Sequence, residues 1–493
     1  MNPIRSLVVA AAFVVASFVS SAQTLTFIGN SNKNSLEYAC GEEITFTVSL
    51  VDKDANNAPV AGLPLKWTLS GDDSSINKSG TATSATDPLT VTTSMSTPGF
   101  VRLKVEVQVG GKWLDGNTEF FDGGAGVDVM NISQKALPAD FATFWQTETN
   151  RLYTTPYTVV CTNFNPSGAA SGVVYKLFDI TTFEGEKHAT GILAMPDGAD
   201  PKECGIIATF NGYGWGRTGL PNATDVKKGN IIIAVTRHGE DPVNDDPTYY
   251  DPTLKNEMGL DKSGAQKSYC WRNNDYTVQD TDFYKMLMRD LRAMQWAKSL
   301  PEWNGTALKT SGGSMGGYQA IGCASLDAAV TECNASIPWC SDLSGGVEYR
   351  YMTGWRPDWT ANLDYVDLKN LATLMKCPVT FTAGLGDYVC PPSGEINLYK
   401  NLPTPKKATF TQNMGHGSTH GPNCSSYTLQ DGSFDPPTPP PQPVVGRSLK
   451  WSWVEGNSNK KWSNPQNWKD TVGGTNAVPR SGDTLSLSSA GNP

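Results

Sequence analysis

The chain has 493 residues and a formal net charge of −9, with a pI near 5.1. That length exceeds one ordinary domain and is enough to bury a large core. The acidic balance and the absence of a Lys/Arg run argue against a nucleic-acid partner, which would require a basic face.

The first residues read as an export signal. Arg5 supplies a positive n-region, Leu7 to Val19 an apolar h-region, and Ser20-Ser21-Ala22 small residues for cleavage. This predicts a signal peptide over residues 1–22, cut after Ala22, and a secreted or periplasmic protein. The apolar run is short for a membrane anchor. No later stretch is long and apolar enough to span, so no membrane partner is expected.

Residues 23–130 read as a separate all-β domain. Ile44, Phe46, Val48 and Leu50 alternate with Thr45, Thr47 and Ser49, and Leu65, Trp67 and Leu69 alternate again. Val101, Leu103, Val105, Val107 and Val109 repeat the pattern. Period-two runs between Gly, Asp, Asn and Pro clusters predict a small β-sandwich of immunoglobulin type. No exposed aromatic triplet stands out, which favours a spacer or packing role over carbohydrate binding.

From residue 131 to 430 the pattern changes to strands alternating with helices. Gly205 to Phe210, Gly229 to Val235 and Pro378 to Gly384 are short apolar runs of the buried-strand kind. Between them, Phe283, Met286, Leu287, Leu291, Met294 and Trp296 predict an amphipathic helix over Asp280 to Leu300. A doubly wound α/β domain accounts for this order. Residues 431–447 form a linker stiffened by the prolines between Asp435 and Pro443. Residues 448–493, with Trp451, Trp453, Trp462 and Trp468, read as an incomplete, poorly ordered β unit.

Cys40, Cys161, Cys204, Cys270, Cys323, Cys333, Cys340, Cys377, Cys390 and Cys424 are an even set in an exported chain, so disulfides can form. The spacing gives no pairing, and Cys40 stands alone in its domain. It also matches no zinc motif, so neither a metal nor another cofactor is expected.

The chemistry centres on Gly312-Gly313-Ser314-Met315-Gly316, which fits G-x-S-x-G. In that motif a strand turns sharply into a helix and lifts the serine above the sheet edge. Thr306 to Ser311 is strand-like, and Gly317 to Ala324 is helix-compatible. A serine hydroxyl needs a base to take its proton and an acid to orient the base. On this fold the chain order is Ser, then Asp or Glu, then His. Only His416 and His420 follow Ser314. His416 is preferred, because it follows the strand-like Ala408 to Thr411 directly. Asp387 closes Gly384-Leu385-Gly386-Asp387 at the end of a predicted strand, whereas Asp364 and Asp367 precede that strand. An oxyanion hole needs two N–H donors. Met315 follows the nucleophile, and Tyr213 lies in the glycine-rich Asn211-Gly212-Tyr213-Gly214 loop after the Gly205 strand.

Five segments in this order resemble the acetyl xylan esterase/cephalosporin-C deacetylase family, carbohydrate esterase family seven. They are Leu137 to Trp145, Asn211-Gly212-Tyr213, Thr236-Arg237-His238-Gly239, Gly312 to Gly317, and Cys377 to Ser393 ending at His416. The resemblance implies an α/β-hydrolase fold, Ser314 as nucleophile, His416 as base and Asp387 as its orienter. It also implies Tyr213 and Met315 as oxyanion donors and an acetylated carbohydrate as substrate. Asn211 stands where the family usually has His, and Met315 where it usually has Gln. His238 replaces a glycine and Gly417 a glutamate. The backbone donors survive these changes, while the side chains around the acyl group differ. Asn211 and Arg237 are therefore candidates for substrate binding. A homo-oligomer is the partner the resemblance implies, although typical members form their ring-shaped hexamer without a β-sandwich, signal or tail.

The expected function is a secreted serine carboxylesterase that deacetylates xylan or xylo-oligosaccharides through an acyl-enzyme. A prolyl-oligopeptidase-like peptidase would need a gating propeller, and no repeat of that period precedes the catalytic part. A non-catalytic polysaccharide-binding protein would not need the Ser–Asp–His order.

Overall fold

A computed structural model describes residues 24–114, 119–214, 217–243, 276–348, 350 and 354–434, with three short strands between 448 and 486. The expected signal peptide and the proline run of the linker fall outside the described residues. The chain forms two compact units, Met1–Gly432 and Ser433–Pro493.

Period-two alternation does produce strands in the first part. They are β1 (Leu25–Ser31), β2 (Ile44–Asp52), β3 (Ala58–Pro59), β4 (Pro64–Gly71), β5 (Asn77–Thr83), β6 (Leu89–Thr93), β7 (Gly99–Val109), β8 (Lys112–Leu114) and β9 (Phe120–Val127). Strands β1, β2, β3 and β6 make one antiparallel sheet, and β4, β5, β7, β8 and β9 another. Phe27, Phe46 and Val48 from the first sheet share one apolar core with Leu65, Leu103 and Phe121 from the second. Burial of alternate residues on each facing sheet is what holds such a pair together. Among the named strands β9 pairs only with β7, and on its other edge Gly126 meets the backbone of Ser35 and Tyr38 while Asp122 and Gly124 face no strand.

The second part is built on β10 (Val159–Phe164), β11 (Val173–Ile180), β12 (Ala189–Pro196), β13 (Cys204–Phe210), β14 (Asn230–Val235), β15 (Trp303–Gly313), β16 (Glu332–Ser336), β17 (Val379–Gly384), β18 (Lys406–Thr411) and β19 (Ser426–Asp431). They form one ten-stranded sheet in the order β10-β11-β12-β14-β13-β15-β16-β17-β18-β19. Strands β14 to β18 are parallel along this order, and both flanks are antiparallel. The fold is thus mixed α/β. The chain runs from β13 to β14 on one side and returns to β15 on the other. The carboxyl ends of β13 and β15 therefore flank a switch point, where an open α/β sheet leaves a crevice.

The predicted helix spans Asp282–Ala297. Thr281 caps it by accepting from the Tyr284 N–H, and Phe283, Met286, Leu287, Leu291 and Met294 are buried. It shares one core and one sheet face with the helices Phe141–Thr154, Met315–Leu326 and Pro392–Asn401. Among the described residues, the other face carries only the short helix Ala223–Lys227, over Tyr175, Ile192 and Ile232. Towards β18 that face is polar, with the Lys309–Glu332 pair and the hydroxyl of Thr380 bonded to Asn334. Among the described residues, the doubly wound expectation thus meets a sheet covered mainly on one side.

The sandwich and the α/β part belong to the same compact unit. Nine cysteines are free thiols, seven of them buried or half-buried, and Cys270 lies outside the described residues. The disulfides that the even set would allow are absent among the described residues. The buried thiols behave as small apolar side chains.

In the second unit Ser448–Trp451 pairs antiparallel with Trp468–Asp470 and parallel with Thr484–Ser486.

Candidate active site

Ser314 sits at the carboxyl end of β15, at the switch point. Its backbone has φ 56° and ψ −121°, a region that non-glycine residues rarely enter. Three hydrogen bonds hold it there. Its N–H donates to the Ser336 carbonyl at 2.9 Å, and its carbonyl accepts from the Tyr318 and Trp339 amides at 3.0 Å each. The flanking glycines are steric requirements. A side-chain carbon at Gly312 would strike the Gly316 carbonyl, and one at Gly316 would strike the Phe210 carbonyl.

Asp387 follows β17, and His416 follows β18. The two loops are joined by the Gly386 N–H, which donates to the Met414 carbonyl at 3.0 Å. A side-chain carbon at Gly384 would collide with that carbonyl oxygen, 2.2 Å away. His416 Nδ1 lies 2.9 Å from Asp387 Oδ2, and its Nε2 lies 2.9 Å from Ser314 Oγ. Asp387 Oδ1 accepts from the Val389 and Cys390 N–H groups, both at 2.9 Å. The carboxylate is fully buried and fully bonded. A carboxylate at Nδ1 places the ring proton there and leaves Nε2 free to accept from the serine. The structure thus brings Ser314, His416 and Asp387 into one hydrogen-bonded line.

His420 is elsewhere. Its ring packs on Phe120 with centroids 4.2 Å apart, and its backbone N–H donates to the Asn413 carbonyl at 2.8 Å. Asp364 and Asp367 are structural. Asp364 pairs with Lys135, and Asp367 accepts from the Asp342 and Leu343 amides.

Cys390 also lies near Asp387 and His416, with ligand atoms within 4.8 Å of one another. Burial and the Asp387 charge push its thiol well above its ordinary range. A protonated thiol beside two groups already bonded to each other is a poor metal site.

Met315 opens the helix Met315–Leu326, so its N–H belongs to the first turn, at the positive end of the dipole. The Asn211–Tyr213 loop leaves the neighbouring β13. A side-chain carbon at Gly212 would stand 3.9 Å from Ser314 Cβ, so the loop and the elbow are adjacent. Arg237 Nε donates to the Gly212 carbonyl at 2.6 Å, and its Nη1 lies 3.1 Å from Glu240 Oε1. Arg289 in turn donates to the Arg237 carbonyl at 2.8 Å. Arg237, expected at the substrate, is buried with its guanidinium on the Gly212 carbonyl and Glu240. Asn211 Nδ2 likewise donates within the loop, to Thr218 Oγ1 at 2.5 Å. Glu240, Arg289 and Thr218 carry no motif that would have revealed this work in advance.

An aromatic wall stands beside the elbow. The Tyr213 ring meets Trp355 edge to face at 4.5 Å and Trp339 at 5.4 Å. Trp339 Nε1 donates to the Trp355 carbonyl at 2.7 Å. A cavity of about 930 Å³ lies elsewhere, lined by Asp179, Lys187, His188, His238 and Arg289, and it includes none of Ser314, Asp387 and His416.

The family model "Acetyl xylan esterase (AXE1)" matches residues 130–351 and 357–425, more than half of the chain. Acetyl esterase Axe7A of Xylanibacter ruminicola is 26% identical over 301 residues, 58% of this chain. The chain spans 65% of the length of that curated relative. Acetyl xylan esterase 1 from Thermoanaerobacterium sp. JW/SL YS485 is similar at 19% identity and a TM-score of 0.47, covering 59% of this chain and 93% of that one. An acetyl xylan esterase from Paenibacillus sp. R4 is similar at 21% identity and a TM-score of 0.48, with the same coverage. On the family match, this chain belongs to the acetyl xylan esterase (AXE1) family.

Proposed function

We propose that this protein is a secreted serine carboxylesterase of the α/β-hydrolase type that removes acetyl groups from xylan or xylo-oligosaccharides. The observation that carries the reading is the line Ser314–His416–Asp387, with 2.9 Å at each link. His416 Nε2 takes the Ser314 proton as Oγ attacks the acetyl carbonyl. The Tyr213 and Met315 N–H groups receive the developing oxyanion. Protonated His416 passes its proton to the leaving sugar oxygen, which leaves an acetyl-serine. Water, deprotonated by His416, then releases acetate and restores the serine. Asp387 keeps its charge throughout and holds the Nδ1–H tautomer. The aromatic wall of Tyr213, Trp339 and Trp355 suits an apolar sugar face.

Secretion rests on the N-terminal signal pattern. The N-terminal sandwich is read as immunoglobulin type, supported by its two antiparallel sheets around one core. Among the described residues, no helix is long and apolar enough to cross a membrane.

Acetate release from acetylated xylan, acetylated xylo-oligosaccharides, small acetylated sugars and cephalosporin C tests the reading. Release by the full chain and its loss in Ser314→Ala are expected. No release from any of the four would overturn it.

A further inference from the structure

We propose that the N-terminal sandwich is a positioning element of the catalytic site, which sets His416 and Asp387 through the outer edge of β9. This rests on the serine-esterase reading above.

At Asp122 and Gly124 the edge is closed by side chains from the histidine loop, while at Gly126 it is met by the backbone of Ser35 and Tyr38. Gln412 Oε1 accepts from the Gly124 N–H at 2.8 Å, and its Nε2 donates to the Gly124 carbonyl at 2.9 Å. The primary amide thus takes the place of a neighbouring strand. Asn413 Oδ1 accepts from the Asp122 N–H at 3.0 Å, and its Nδ2 donates to the Phe27 carbonyl of β1 at 3.2 Å. Farther along the loop, Thr26 Oγ1 donates to the His420 carbonyl at 3.0 Å. Gln412 and Asn413 are essentially fully buried, so water does not substitute for these bonds. His416 lies between the two anchored ends of this loop.

The acid loop meets the same strand. A side-chain carbon at Gly386 would collide with the Asp122 carbonyl, and one at Gly124 would sit 2.9 Å from the Leu385 carbonyl oxygen. The Gly123-Gly124 pair therefore marks a close backbone approach rather than a weak strand. Arg102 of β7 pairs with Asp122 and lays its guanidinium 4.1 Å from the Tyr388 ring centre, next to Asp387 in sequence. The histidine loop thus rests on β1 and β9 and the acid loop on β7 and β9, so neither is held by the large sheet alone. A displacement near 1 Å at a reacting group costs about 10²-fold in rate, so such support is a kinetic requirement.

Asn413 has φ 49°, so Asn413→Gly accommodates the backbone conformation while removing the side-chain tie to the sandwich. Gln412→Ala is the second variant. Leu65→Ala, in the sandwich core, is the control for general destabilisation. All are compared in the full chain, with wild type and Ser314→Ala alongside, on nitrophenyl acetate and on the acetylated substrate. For Asn413→Gly and Gln412→Ala the expected result is a fall in kcat of about tenfold or more with KM within about twofold. The downfield proton resonance of the His416–Asp387 hydrogen bond, seen in wild type and Leu65→Ala, should be lost or broadened in both. An unchanged kcat and resonance in the two variants would overturn the proposal, as would an equal fall in Leu65→Ala at matched melting temperature. Wild-type activity that survives Ser314→Ala would instead overturn the serine-esterase reading itself.

Discussion

Trp339 donates its backbone N–H to the carbonyl of Ser314 at 3.0 Å, beside the 3.0 Å bond from Tyr318 that starts the elbow helix. One carbonyl thus fixes both the helix and the aromatic wall against the strained serine. The strain has a measurable consequence. Glycine relaxes at φ 56°, whereas alanine does not. Ser314→Gly and Ser314→Ala should both abolish turnover. The glycine variant should be the more stable by about 1 kcal/mol. Denaturant unfolding of the two, compared at equal m-value, checks this. Equal stability would mean that the elbow stores no strain.

Asp387→Asn keeps an acceptor for the Val389 and Cys390 amides but can turn an amide N–H towards His416 Nδ1. That favours the wrong tautomer, with the proton on Nε2. The expected loss in kcat is about 10⁴-fold with little change in folding. Steady-state kinetics at several pH values would show it. Retention of more than a tenth of wild-type kcat would count against Asp387 as the orienter.

Arg237 and Glu240 should act on the rate through the Gly212 loop. Both are buried, and the guanidinium bridges Glu240 and the Gly212 carbonyl. Arg237→Gln and Glu240→Gln should each lower kcat while leaving KM nearly constant. In a double-mutant cycle their coupling should fall within about 0.5–3 kcal/mol. Zero coupling would separate the two residues.

Asp72 gives a pH prediction at the junction of sandwich and α/β part. Burial is the largest influence and pushes its carboxyl up to about 7, partly opposed by the Phe100 N–H, Arg350 and Ser393. From its ordinary value of 3.8 up to about 7, the folded chain keeps a proton that the unfolded chain has lost. Its contribution is therefore fully present below 3.8 and lost as pH rises towards about 7. Asp72→Asn removes that slope. The variant should gain stability relative to wild type between pH 5 and pH 8, read as the difference in unfolding midpoint. A difference that stays constant across this range would rule the titration out.

The elbow was legible in the sequence because its glycines answer steric demands that are local, within Gly312 to Gly316. Asp387 and His416 were legible because few histidines follow the serine and the fold sets their order. The supports were not. Gln412 and Asn413 carry no motif of their own, and their partners Gly124, Asp122 and Phe27 lie nearly 300 residues or more earlier. The Gly-Gly pair in β9 signals a close approach without naming what approaches. Arg237 was visible as a motif, but its direction was not, because that depends on Glu240 and on Gly212 from another loop. The one-sided cover seen among the described residues escaped for a similar reason: alternation in β16 and β17 fits a half-exposed sheet as well as a pair of helix layers.

The edge of β9 also bears on how the protein can be cut or recombined. Its outward groups at Asp122 and Gly124 are satisfied by residues near the end of the α/β part, so a boundary drawn between the two leaves hydrogen-bonding groups bare on both fragments. A freed strand edge pairs readily with other chains. Expression of either half alone therefore carries an aggregation hazard that the intact chain avoids, and grafting this sandwich onto a relative without Gln412 and Asn413 would carry it too.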